Sequence, residues 1–201
     1  MDFTLVKDNL EKRGFQVSCF DTVKDAVSYL DTAVDQKEVG IGGSMTIQEM
    51  GLYEKLAEHN KVYWPWKPLE GKTDQEMRGL AHRARIYFSS VNALAETGEV
   101  INIDGTCNRI SATLYGPEKV YLVVGANKIA ADYEQALYRA RNVAAPINCH
   151  RLKRKTPCAV KGDKCYDCNS PERICRGLTV LWRKPGGCDY EIVLINENLG
   201  Y

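Results

Sequence analysis

The sequence predicts an α/β fold, a mostly parallel sheet with helices on both faces. Short apolar runs alternate with stretches of helical period, and glycine turns and capping residues mark the junctions. The 201 residues, 44% hydrophobic and 26% charged, suffice for one buried core. Phe3, Val6 and Leu10 recur at helical spacing up to Gly14, and Phe15 to Phe20 alternates as a strand. Val23, Ala26, Val27 and Leu30 line one face of a second helix, with Asp21 or Thr22 to cap it. Glu38 to Ile41 is a short buried strand that ends in Gly42-Gly43, and Thr46 to Glu49 has the pattern of a capping box.

The unit then repeats. Val62 to Trp64 reads as a strand, Thr73 to Glu76 as a capping box before a helix reaching Arg83, and Ile86 to Phe88 as a strand. Glu99 to Ile103 and Val120 to Val124 are further strands, and Ala130 to Ala144 is an alanine-rich helix. Thr179 to Trp182 and Tyr190 to Ile195 read as a closing antiparallel pair turning at Pro185-Gly186-Gly187. The whole chain, 1–201, is expected to form one such domain, with a cysteine-rich insert over 146–176 that shows no apolar period.

Lys and Arg number 27 against 26 Asp and Glu, a net charge of +1, so no global field draws the chain to nucleic acid or an anionic membrane. The charged start from Met1 to Asn9 and the lack of a long apolar run point to a cytoplasmic protein with no membrane partner. Eight cysteines in a reducing compartment favour metal ligation or reactive thiols over a disulfide framework.

Four of them, Cys158, Cys165, Cys168 and Cys175, form one potential ligand set around a single Cys-x-x-Cys. Four thiolates suit an iron-sulfur cluster of the 4Fe-4S kind, and equally tetrahedral zinc. The single paired knuckle favours iron and sulfur, and surrounding basic residues would raise a cluster's potential. Cys149 and Cys188 are substitutes within that set. Cys19 reads as core packing and Cys107, after a glycine turn, as facing a ligand.

Ligands of open α/β sheets collect beyond the carboxyl ends of strands. Three turns fall there: Gly40 to Thr46, Ser89 to Asn92, and Asp104 to Arg109. Dinucleotide, Walker and Gly-x-Ser-x-Gly fingerprints are absent, and His59, His82 and His150 form no metalloprotease pair.

The stretches Gly43 to Gly51, Ala95 to Gly98, Gly105 to Arg109 and Val120 to Gly125 resemble the LUD domain of bacterial lactate-utilisation proteins, over most of the chain. The resemblance implies a Rossmann-like sheet similar to the NagB/RpiA/CoA-transferase group and a link to oxidation of lactate. Carried over by position, it implies a pocket built from Gly43, Ser44, Thr46, Glu49, Thr97, Gly98 and Asn108 around a small carboxylate or phosphorylated ligand. Arg109 would grip a carboxylate in two-pronged fashion and Glu96 would act as a base or orient water, the two catalytic candidates. Ser44 and the helix start at Thr46 would donate to an anion.

Three functions remain open from sequence. The first is a component of an oxidoreductase, with the cluster relaying electrons to redox partner subunits. The second is a non-redox enzyme, isomerase or CoA-transferase-like, with a structural zinc. The third, a nucleic-acid binder using the basic insert with Tyr166 stacking on a base, is disfavoured by the near-neutral charge and scarce aromatics.

Overall fold

The computed structural model describes residues 1–201. Its strands are β1 (Gln16–Phe20), β2 (Glu38–Ile41), β3 (Lys61–Tyr63), β4 (Ile86–Ser90), β5 (Ala93–Ala95), β6 (Val100–Asp104), β7 (Lys119–Gly125), β8 (Ile129–Ala130), β9 (Gly177–Leu181) and β10 (Asp189–Ile195). The α-helices are α1 (Thr4–Lys12), α2 (Val23–Ala33), α3 (Met45–Glu49), α4 (Leu52–Leu56), α5 (Asp74–Arg83), α6 (Asn108–Leu114), α7 (Tyr133–Arg139), α8 (Ala145–Arg151) and α9 (Pro157–Lys161).

Six strands in the order β1-β10-β7-β4-β2-β3 form an all-parallel sheet. Period-two alternation distributes its side chains between two cores. In β7, Val120, Leu122 and Val124 face α1, α5 and α6, where they meet Leu10, Met77 and Ala112. Tyr121 and Val123 face the opposite layer, with Leu30, Ile47, Leu52 and Leu56 of α2, α3 and α4. Helices thus cover both faces, as the alternation predicts. Thr22 caps α2, and Thr73 with Glu76 forms a complete capping box on α5.

A second sheet, β8-β5-β6-β9, packs Ala93, Ala95 and Ile101 against Ala136 and Ala140 of the α7 region. Here one expectation fails. β9 and β10 are not partners: β9 runs antiparallel to β6, whereas β10 lies between β1 and β7 in the large sheet. Apolar β10 is buried along nearly its whole length, which suits a central parallel strand.

The helix expected to stop at Ala144 instead continues, through a π turn at Ala140–Ala144, into α8. Pro146 has no amide hydrogen and its ring crowds the preceding turn, and the widened turn accommodates it without ending the helix. The insert therefore holds helical structure at both α8 and α9, which sequence periodicity alone did not register.

Gly40 is where β2 and α5 approach most closely: a Cβ there would lie 2.0 Å from the Ala81 carbonyl oxygen. Gly40→Ala should destabilise the fold by about 1–3 kcal/mol, since backbone rather than a flexible side chain must yield. Urea midpoints of the two proteins measure it.

Candidate functional site

A cavity of about 300 Å³ opens beyond the carboxyl ends of β2, β4 and β6. The turns after these strands bring in Gly43 and Ser44, Ser90 and Asn92, and Asp104 to Thr106, while α6 adds Asn108 and Arg109. The remaining wall comes from elsewhere: Trp66 after β3, Arg78 on α5, Lys128 after β7, Asn148 and Arg151 on α8, then Arg154 and Tyr201.

Two cations form the floor. The guanidinium of Arg109 spends its four terminal N–H groups inside the chain. One terminal nitrogen donates to Asn102 and to the Ser90 carbonyl (3.2 Å), and the other to Asn92 (3.1 Å) and the Ile103 carbonyl (2.7 Å). Nε faces Asp104 at 3.6 Å. Asp104 also accepts from the amides of Thr106, Cys107 and Ile110, so one carboxylate caps the α6 turn and braces the arginine. Arg109 is thereby a tie between β4, β6 and α6. It supplies positive potential to the cavity but has no pair of free N–H groups for a two-pronged grip on a ligand.

Lys128 is only 4% exposed. Its ammonium donates to Thr46 Oγ1 (2.8 Å), Ser90 Oγ (2.9 Å) and the Val91 carbonyl (3.2 Å), all neutral acceptors. Burial, then the nearby Arg139 and Arg109 guanidiniums, push it down from its ordinary value to about 7, with Glu49 pulling weakly the other way. A buried lysine without a carboxylate partner is a place where an anion would be welcome.

The mouth is also basic. Arg151 bonds only to Asn148 and the Tyr201 hydroxyl (2.7 Å), its guanidinium lying 5.2 Å from the Trp66 ring centre. Trp66 in turn stacks on Trp64. Arg154 makes no side-chain bond, and Arg78 pairs with Asp74 at 2.7 Å and donates to Thr106. Asp104 is the single carboxylate side chain among the lining residues.

Of the candidates named from sequence, Gly43, Ser44, Asn108 and Arg109 line this cavity. Thr46 lies just behind it, buried and bound to Lys128. The cap of α3 is Ser44, which accepts from the Ile47 amide, rather than Thr46. Glu49 points to the Gly200 amide (2.6 Å) and does not form a box with Thr46. Glu96, Thr97 and Gly98 lie outside the cavity, in the turn joining β5 to β6. The Glu96 and Thr97 carbonyls accept from Asn9 and Arg13, Thr97 bonds to Glu99, and Gly98 takes a φ of +99° to close the turn. The three residues fasten α1 to the small sheet.

Lys128, Arg78, Trp66, Asn148, Arg151, Arg154 and Tyr201 were not singled out from sequence as pocket residues. Lys128 follows a strand end, the same position that flagged three other turns; its burial had no sequence signal. Arg151 and Arg154 read as cations around a cluster because the helix that aims them was not foreseen.

The cysteines are arranged as follows. Cys149 of α8 and Cys158 of α9 are buried together with Ala159, against Tyr166 and Ile174. Burial pushes the Cys149 thiol up to about 11. Cys165 Sγ accepts from the Asp167 amide (3.3 Å), and Cys165 and Cys175 border a smaller cavity beside Arg141, Arg173 and Arg176. Arg173 donates to the carbonyls of Cys168 (2.7 Å) and Cys175 (2.9 Å) and to Asp167. No three Cys, His, Asp or Glu side chains converge in a geometry that would hold a metal ion. Cys149 lies within hydrogen-bonding reach of Cys158 and within electrostatic reach of Cys175, so three of the thiols are neighbours, and the segment around them is held by this buried contact and by Arg173. Cys19 is exposed rather than core, and Cys107 lies against Gly177 at the start of α6 rather than among the cavity residues.

This arrangement makes the cysteines unequal. Cys158→Ala should cost about 1–2 kcal/mol by opening the buried contact, while Cys168→Ser, half-exposed, should stay within about 0.5 kcal/mol. Thermal midpoints separate this from a metal centre, in which both changes would be comparably damaging.

The family model described as the LUD domain matches residues 4–195. No curated protein matches the sequence. Among solved structures, a DUF162 family protein from Deinococcus radiodurans superposes with a TM-score of 0.56 at 15% identity, covering 97% of this chain and 99% of that one. At that identity the likeness concerns the fold. The eIF2B beta protein of Chaetomium thermophilum is a more remote likeness, with a TM-score of 0.34 at 14% identity over 66% of this chain and 44% of that one. No helix is long and apolar enough to cross a membrane.

Proposed function

This chain belongs to the LUD-domain family, and we propose that it acts within that family as a binder of a small anionic metabolite, a carboxylate or a phosphorylated compound. The ligand sits in the cavity at the ends of β2, β4 and β6. One observation carries this reading: Lys128, buried at the cavity wall beside the Arg109 and Arg139 guanidiniums, has three neutral acceptors and no carboxylate within bonding distance. Uncompensated positive charge in a recess is costly, and a bound anion relieves it.

The floor supplies potential and the unspent donors supply contacts. Ser44 has a hydroxyl proton to give, the side-chain nitrogen of Asn92 makes no bond inside the chain, and Arg151 and Arg154 have free N–H groups at the mouth. A link to lactate utilisation is part of the same proposal, with the ligand an acid or acid derivative of that metabolism. Calorimetric titration with sulfate at low ionic strength tests the reading. Saturable binding that is lost in Lys128→Met supports it, and no heat in the wild-type protein contradicts it.

A further inference from the structure

We propose that the natural ligand carries two anionic groups, a phosphate and a carboxylate, on a short non-aromatic body. This rests on the anion-binding reading above and narrows it to a substrate class. The first ground is charge. Five cationic side chains line the cavity, and Asp104 braces Arg109 while Asp74 pairs with Arg78. Lys128, Arg151 and Arg154 are left with no carboxylate partner. A phosphate monoester contributes about −1.5 to −2 at neutral pH, so together with a carboxylate it brings close to the three negative charges this lining lacks.

The second ground is where those charges lie. Lys128 is buried at the floor, its three N–H groups spent on Thr46, Ser90 and Val91, so it offers potential without a free donor. Ser44 and Asn92 supply the neutral donors there. That combination suits the lesser demand of a carboxylate. Arg151 and Arg154 at the mouth have planar guanidiniums with free N–H groups, the arrangement that recognises phosphate. Two anionic groups on one molecule bridge floor and mouth.

The third ground is size and shape. About 300 Å³ is twice the roughly 150 Å³ cavity that takes one benzene, space for about twelve non-hydrogen atoms. A phosphorylated three-carbon acid has a comparable number of non-hydrogen atoms, whereas lactate has little more than half as many and would leave much of the space to water. The aromatic wall offers no stacking platform, because the Trp66 ring is already engaged by Trp64 and by the Arg151 guanidinium. A hydroxylated aliphatic body fits such a lining better than a nucleobase.

Calorimetric titration of the full chain at constant ionic strength, with 3-phosphoglycerate, glycerol 3-phosphate, AMP and L-lactate as probes, decides the matter. 3-Phosphoglycerate should bind tightest, with glycerol 3-phosphate, which lacks the carboxylate, and lactate, which lacks the phosphate, each at least about tenfold weaker, a lost anionic contact being worth about one decade. AMP should bind no more tightly than glycerol 3-phosphate. Arg154→Ala should weaken 3-phosphoglycerate about tenfold while affecting lactate much less. Lactate binding as tightly as 3-phosphoglycerate, AMP outranking it, or Arg154→Ala weakening lactate as much as 3-phosphoglycerate would each overturn the two-anion proposal while the broader reading stands. If none of the four probes binds, and sulfate and inorganic phosphate fail as well, the anion-binding reading falls with it.

Discussion

Replacing Lys128 by methionine should abolish the pH dependence of anion binding. In the wild-type protein, affinity for sulfate, which stays fully ionised over the range used, should fall as pH rises above about 7. The fall should approach tenfold per pH unit, because the ammonium that attracts the anion is being lost. The value of about 7 follows from burial, reinforced by Arg139 and Arg109, and the bound anion pushes it back up. Binding near and above neutrality therefore takes up a proton, which calorimetry in buffers of different ionisation heat detects. In Lys128→Met the affinity should be at least about tenfold lower at pH 6 and flat with pH.

The same group affects stability with a definite sign. A lysine whose folded value lies below its ordinary 10.5 binds its proton less well folded than unfolded, so its charged form opposes folding. Between about 7 and 10.5 the unfolded chain holds more protons at this site, and its contribution to stability rises with pH across that window. Urea midpoints at pH 6.5, 8 and 9.5 should show this rise in the wild-type protein and its loss in Lys128→Met.

Arg109→Met should destabilise the fold by about 3–5 kcal/mol, the range for removing one member of a buried, bonded charge network. Its side chain is 13% exposed and that of Asp104 11%, so solvent does little to replace what is lost. The change strands Asn92, Asn102, Asp104 and the carbonyls of Ser90 and Ile103, all of which receive the guanidinium. By contrast, Glu96→Gln should be neutral to within about 0.5 kcal/mol in stability and leave sulfate affinity alone, since the turn uses the Glu96 backbone amide and carbonyl and not its carboxylate. Sequence resemblance paired these two residues as catalytic, and the structure gives them different duties. If Arg109 were instead a ligand-gripping arm, its loss would weaken binding while scarcely moving the urea midpoint.

The large sheet was legible in the sequence because its parallel strands are short apolar runs and its helices have recognisable caps at Thr22 and Thr73. The partnership of β9 was not, since strand pairing across distant segments leaves no local trace. The glycine turns after β2, β4 and β6 located one wall of the cavity, by the rule that ligands gather at the carboxyl ends of parallel strands. The opposite wall was hidden behind Pro146. A proline inside a helical pattern reads as a stop, and only the π turn at Ala140–Ala144 lets the helix continue and aim Asn148 and Arg151 inward. The cysteine spacing conveyed ligand number but not convergence, because whether sulfurs meet depends on the path of α8 and α9. Lys128 was illegible for a related reason: a lysine in a turn is ordinarily solvated, and only Thr46 and Ser90, far apart in sequence, reveal it as buried.

Amide chemical shifts of isotope-labelled protein, followed by NMR during titration with sulfate, test the central claim most directly. Shifts that saturate and cluster at Gly43, Ser44, Asn92, Gly105 and Arg154, and that shrink in Lys128→Met, are the predicted result. A spectrum that does not move, or that moves chiefly at the exposed basic residues of 161–176 with no response around Lys128, would contradict an anion site at the ends of β2, β4 and β6.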